Sequence, residues 1–222
     1  MRRIAKQAKQ LGREKAMSKT FKRVTTILVT LAMSVGLCVG LAACSGGAAS
    51  EEDQIRAELD KALSTLKNPT EESLAELLGD NMSSLDAVKT QYGIDPVEML
   101  QHLFAKFDYT IGDIKVNGDT ADAQVTMENI NVQAVLNDAM KDLQNDSDFV
   151  AKVTEAATSG NQSEMYNLIF SKMYEAIDAA EETVTNTVDF KLTKTNGKWD
   201  ISEDDLSNVV SSMYGGLDLS AL

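Results

Sequence analysis

Ile114-Lys115-Val116-Asn117-Gly118-Asp119-Thr120-Ala121-Asp122-Ala123-Gln124-Val125-Thr126-Met127 reads as two strands joined by a tight turn. Asn117-Gly118 is a strong hairpin signal, because turns that match strand twist need positive φ, which Asn and Gly tolerate. After the turn, Ala121, Ala123, Val125 and Met127 alternate with Asp122, Gln124, Thr126 and Glu128, the period of a half-buried strand. Before it, Tyr109 and Ile111 alternate, Gly112 allows a bulge, and Ile114 and Val116 resume on a shifted phase. A second hairpin lies far downstream. Val184, Val188, Phe190 and Leu192 lead into Asn196-Gly197, and Trp199 and Ile201 follow.

Outside the hairpins the apolar period is helical. Ile55, Leu59, Ala62, Leu63 and Leu66 mark a helix from Glu51 to Lys67 that Pro69 ends. Thr70 caps a second helix with Glu71 and Glu72 in its first turn, Leu74, Leu77 and Leu78 on its apolar face, and Gly79 at its close. Met82, Leu85 and Val88 suggest a third. Asp95-Pro96-Val97-Glu98 is a helix start, with a capping Asp and Pro at the first position, and Val97, Leu100, Leu103, Phe104 and Phe107 form its stripe. Residues 132–182, between the hairpins, are a helical insert. It carries Val135, Leu136, Ala139, Met140 and Leu143, then Phe149, Val150 and Val153. After a Ser159-Gly160-Asn161 break come Met165, Leu168, Ile169, Met173, Ile177 and Ala180. Ser202 caps a last helix bearing Leu206, Val209, Val210 and Met213. Helices segregated from antiparallel hairpins predict an α+β fold.

The Phe107-Asp108-Tyr109 entry, the Ile114–Ala121 hairpin and Asn196-Gly197-Lys198-Trp199-Asp200-Ile201 together resemble the NTF2-like (cystatin-like) lipoproteins of Gram-positive bacteria. The resemblance covers residues 52–131 and 183–214. It implies leading helices packed on one face of a curved antiparallel sheet to form a cone. The helical insert departs from the smallest members of that family.

The N-terminus carries an address. Residues 1–23 hold nine basic side chains against one acid, Glu14, and Val24 to Ala43 then runs without a charge. A basic region, an apolar region and a small-residue cleavage site are the parts of an export signal, and Met17 is an alternative start. Leu41-Ala42-Ala43-Cys44 resembles the lipobox of bacterial lipoprotein precursors at every place. That resemblance implies cleavage between Ala43 and Cys44, a diacylglyceryl group on the Cys44 thiol, and a lipid-anchored protein on the extracytoplasmic face of the cell membrane. Residues 44–51 are then a flexible tether and residues 52–222 the domain. The alternative is a permanent span, since about 20 apolar residues suffice to cross a bilayer.

Composition narrows the partners. The chain has 21 basic and 34 acidic residues; without its leader it keeps 12 and 33, a net charge of −21. Such a chain is repelled by nucleic acid and by anionic lipid headgroups. Cys38 goes with the leader and Cys44 is consumed by lipid, so no disulfide is expected. The 179 residues from Cys44 onward suit one domain, and with only Pro69 and Pro96 the chain does not read as a disordered stalk.

Each candidate site has a plainer reading. His102 is the single histidine, and without a cysteine or a second histidine it makes no ordinary zinc site. Asp138, Asp142, Asp146 and Asp148 form one acidic cluster, and Asp200, Glu203, Asp204 and Asp205 another. Neither has the calcium-loop pattern. Asp138, Asp142 and Asp146 fit one solvated helix stripe, and 203–205 a helix's first turn. Trp199 is read as core, not as a stacking platform. Met82, Met99, Met127, Met140, Met165, Met173 and Met213 fit element interiors better than an adaptable binding face. No phosphate loop, nucleophile elbow or CxxC is present, so no catalytic residue, metal or cofactor is assigned. The leading expectation is a non-catalytic domain that binds a small apolar ligand or an envelope component. The alternatives are an interaction module docking through the insert and, last, a ketosteroid-isomerase-like enzyme using His102, Asp108 and Tyr109.

Overall fold

Thr120–Ile130 becomes the central strand of the molecule, and its alternation explains why. Ala121, Ala123, Val125 and Met127 are buried on one face, while Thr120, Asp122 and Gln124 are exposed on the other. The computed structural model describes residues 50–78, 89–90, 92–195 and 197–217. Its elements in chain order are α1 (Glu51–Lys67), α2 (Glu71–Leu78), α3 (Pro96–Leu103), β1 (Asp108–Asn117), β2 (Thr120–Ile130), α4 (Val132–Asn145), α5 (Ser147–Thr158), α6 (Gln162–Ala179), β3 (Thr183–Thr195), β4 (Lys198–Ile201) and α7 (Glu203–Met213). The strands form one antiparallel sheet in the order β1-β2-β3-β4. The fold is α+β. The suggested helix at Met82–Val88, the closing Gly79 and Asn196 lie outside the described residues, as does the whole leader.

The bulge falls at Gly112. Ile111 pairs with Val125 and Ile114 with Ala123, so three steps along β1 match two along β2. The turn is one residue later than the Asn-Gly signal suggests: Asn117 still pairs with Thr120, leaving Gly118-Asp119 as the loop, with Gly118 at φ 65°. Asn117 is therefore the last ladder residue, and Gly118 takes a positive φ.

α1 begins one residue inside the expected tether. Ser50 caps it: its hydroxyl accepts from the Asp53 N–H (3.2 Å), while the Asp53 carboxylate accepts from the Ser50 N–H (3.2 Å). The five apolar residues named from the period are all buried on β1's side of the helix. Staggered polar contacts fix its direction. Glu51 pairs with Lys194, Arg56 donates to the carbonyls of Ile111 (2.8 Å) and Gly112 (2.7 Å), and Lys67 reaches Asp108 (2.7 Å). Arg56 thus takes the carbonyls at the bulge, where the ladder is interrupted. α1 runs from the end of the sheet holding the hairpin turns to the opposite end.

α3 starts as predicted, with Asp95 accepting from the N–H groups of Val97 (2.9 Å) and Glu98 (3.4 Å). Burial opposes the Asp95 carboxylate. The Lys89 ammonium and the two capping N–H groups outweigh it and hold its pKa below the usual range. The helix stops earlier than its apolar stripe. Phe104 is its C-cap, and Phe107 follows in the next turn, where the two rings meet edge to face at 5.3 Å. Both are buried, as is Met99, which the stripe omitted. Ser202 sits at the N-cap position of α7 but makes no side-chain cap hydrogen bond.

The insert is three helices whose buried residues continue the single apolar core of the domain. Leu136, Met140, Leu143, Phe149, Val153, Tyr166, Ile169 and Met173 are buried where α4, α5 and α6 pack together. Asp146 divides what the period presented as one run: it is the C-cap of α4, and its carboxylate accepts from Asp148 and Phe149 N–H (3.0 Å each) to cap α5. Asn161 caps α6 after Gly160 at φ 79°. Because the insert joins the end of β2 at Ile130 to the start of β3 at Thr183, it leaves the sheet at the end opposite the hairpin turns.

Candidate functional site

The body and the insert share one apolar core, and His102 lies in the seam where α3 packs against α6. Its Nδ1 is 2.7 Å from Asp178 Oδ1, and its ring stacks on Tyr174 at 4.2 Å and 13°. Lys106 donates to the Ala180 carbonyl, and Tyr92 meets Tyr166 edge to face at 5.3 Å. Burial, aided by the charges of Glu98 and Asp95, pushes the Tyr174 phenol well above its ordinary value.

His102, Asp108 and Tyr109 are engaged separately. Asp108 is an exposed partner of Lys67, which with the Tyr109 N–H lowers the pKa of its carboxyl. Tyr109, on the opposite face of β1, donates its hydroxyl to Asp60 Oδ1 (2.8 Å). Partial burial, then the Asp60 hydrogen bond and charge, push its pKa up to about 12. The three residues considered for proton transfer therefore belong to two contacts of α1 with β1 and one of α3 with α6.

The acidic clusters dissolve into local roles. Asp138 pairs with Lys141 (2.7 Å), and Asp146 caps α5 instead of extending a stripe. Asp148 sits in that helix's first turn, where a carboxylate meets the positive end of the dipole. The side chains of Glu203, Asp204 and Asp205 lie outside the described residues, and among the described residues no three His, Cys, Asp or Glu side chains gather as metal ligands. Met99, Met127, Met140, Met173 and Met213 are buried and Met165 half-buried; Met82 lies outside the described residues. Trp199 is core, 1% exposed, with the Lys194 ammonium 5.4 Å from its ring centre.

What the sequence reading missed is polar and buried. Asn129 is fully enclosed: its amide donates to the carbonyls of Leu103 (3.1 Å) and Met213 (2.9 Å), and its oxygen accepts from the Ile130 N–H (2.9 Å). One side chain on β2 thereby ties the C-terminal ends of α3 and α7. The signal was present, since Asn129 continues the inward phase of 121, 123, 125 and 127. Asn186 Nδ2, Trp199 Nε1, Tyr174 Oη and Tyr214 Oη are buried without a hydrogen-bond partner. Asn186 pairs with Met127 and so shares its helix-facing side, and Tyr214 directly follows α7 on that side. Burial alone raises the Tyr214 pKa far above its ordinary value. On the outer surface of α6 there is an open dent of about 500 Å³ lined by Asn161, Ser163, Glu164, Asn167, Leu168 and Ser171. It is too shallow to exclude water from a ligand.

Among the described residues no helix is long and apolar enough to cross a membrane; residues 24–43 lie outside them. No family model, curated protein or solved structure matches this chain.

Proposed function

We propose that this chain is an extracytoplasmic lipoprotein, held to the cell membrane by acyl chains on Cys44, whose NTF2-like domain binds a small apolar ligand or an envelope component without catalysing a reaction on it. The observation that carries this reading is Leu41-Ala42-Ala43-Cys44 at the outer end of a basic-then-apolar leader. The acyl chains explain stable anchoring: each buried methylene contributes about 0.8 kcal/mol, and two chains hold where one does not. The binding part draws on Asn186 Nδ2 and Tyr214 Oη, both buried on the helix side of the sheet without partners. A mainly apolar ligand with one or two polar atoms would satisfy them, and an orphaned buried polar group otherwise costs about 1–3 kcal/mol. The curved cone of the resembling family is the arrangement in which such a ligand would sit between sheet and helices. That step is analogy of fold.

Native mass spectrometry of the full chain, extracted gently from bacterial membranes, tests the proposal. The expected species begins at Cys44, carries a diacylglyceryl group and retains a small molecule that Tyr214→Phe binds less well. A chain with no retained mass, in both wild type and variant, would remove the ligand.

A second reading, a partner-docking module, is favoured by the position of the insert at the end of the sheet opposite Ser50. The apolar stripes of α4, α5 and α6 do not add to it, because they are used in packing on one another. Deleting residues 133–182 while retaining capture of a crosslinked envelope partner would end this reading.

A further inference from the structure

We infer that the domain stands on the membrane with its hairpin turns toward the lipid and its helical insert at the far pole. This rests on membrane attachment through Cys44, as proposed above.

Three independent observations converge on this. The first is where the chain enters the fold. Glu51, the first residue of α1, pairs with Lys194 near the β3–β4 turn. The backbone N–H of Lys194 donates to the Asp119 carbonyl in the β1–β2 turn (2.8 Å), so both turns and the entry point share one end of the molecule. The second is length. From Cys44 to Glu51 are seven peptide steps, a reach of at most about 25 Å. The 11 residues of β2 span about 37 Å. The turns are thus tethered near the lipid, whereas the root of the insert at Ile130 and Thr183 lies a full strand length beyond them.

The third is charge, which decides whether the domain stands or lies flat. The turns and their flanking residues, 114–121 and 191–199, hold Lys115, Lys191, Lys194 and Lys198 against Asp119. The first turn of α1 at the same end adds Glu51, Glu52 and Asp53, and Asp122 and Asp200 flank the turns, so this end carries four lysines against six carboxylates. The insert, residues 132–182, holds three lysines against ten carboxylates. An anionic bilayer repels the insert more strongly than the turns within a Debye length of about 8–10 Å. Lying flat would bring the acidic pole against the headgroups; standing keeps it away. The surface that meets the membrane is therefore the pair of turns around Gly118-Asp119 and Gly197-Lys198.

The test uses the membrane form of the full chain, reconstituted in phosphatidylcholine–phosphatidylglycerol vesicles that contain a lipid with a nitroxide on its headgroup. A fluorophore is placed at one turn by Asp119→Cys or Thr195→Cys, and at the insert by Glu155→Cys; all three positions are exposed. Quenching several-fold stronger at both turn positions than at Glu155 is the expected result. Equal quenching at the two poles, or stronger quenching at Glu155, would overturn the orientation. Two turn positions guard against a label that disturbs one hairpin. The intact mass of the same samples reads the modification of Cys44, so failure of the lipid anchor and failure of the orientation are separate results.

Discussion

The sheet body holds more than twice as many buried apolar residues as the helical insert, and the two are held by different logic. In the body, distant segments are joined: α1 lies on β1, α7 on β2 and β3, and Asn129 ties the ends of α3 and α7 to the central strand. In the insert, consecutive helices pack on one another, with Asp146 closing one helix while opening the next. The body is therefore held by long-range contacts and the insert chiefly by contacts among its own helices, although its buried residues continue the body's core. The contrast teaches that a damaged core residue has different reach in each. In the body it loosens everything; in the insert it loosens chiefly the three helices.

The largest expected effect is in the body. Gly215 sits at φ 67°, and a Cβ there would lie 2.1 Å from the Ile130 carbonyl oxygen, so neither side can yield without moving backbone. Gly215→Ala is expected to cost about 3–4 kcal/mol, and Asn129→Ala about 3 kcal/mol by stranding two carbonyls and an N–H. Urea unfolding should show one cooperative transition shifted down in both variants. A second transition, or an unchanged midpoint, would deny that Asn129 and Gly215 hold the body as one unit.

Phe149→Ala should behave differently. It removes a buried ring shared by the insert helices, at a cost of about 3–4 kcal/mol. Hydrogen exchange is expected to accelerate across residues 132–179 while the β2–β3 amides keep their protection. Equal loss of protection in both regions would erase the distinction.

Alkaline pH reaches both regions, through Tyr109 and Tyr214 in the body and Tyr174 in the insert. With its pKa raised from 10.0 to about 12, Tyr109 contributes stability that is complete below pH 10 and is lost as pH rises through about 12. Tyr109→Phe is expected to lose about 1 kcal/mol at neutral pH and to show a shallower decline between pH 10 and 12. An equally steep decline in the variant would assign the alkaline loss to another group.

The seam should be the weakest. His102 and Asp178 are 26% and 51% exposed in their side chains, so a double-mutant cycle with alanine at each is expected to give a coupling below about 1 kcal/mol. A coupling of several kcal/mol would make the seam an integral part of the body.

The fold was legible in the sequence where one period ran unbroken. The strand from Ala121 to Met127, the bulge at Gly112, the helix from Glu51 to Lys67 and the insert's helical character follow from the positions of apolar residues. The boundaries were less so. Phe104 and Phe107 continue a helical spacing after the backbone has left the helix, since both still face the core. Asp146 continues an i, i+4 spacing while acting as a double cap. The site was hardly legible. Asn129 hides in an apolar phase, and the partners of His102 and Tyr109 come from residues 76 and 49 positions away. Spacing along one element carries no information about such contacts.

The central claim is the anchor, and intact mass spectrometry of membrane-fraction protein from wild type and Cys44→Ala tests it most directly. The wild-type chain is expected to begin at Cys44 and carry the diacylglyceryl mass, and the variant to keep residues 1–43 and carry no lipid. A Cys44→Ala protein that is still cleaved and lipid-modified, or a wild-type chain that keeps its leader, would contradict it.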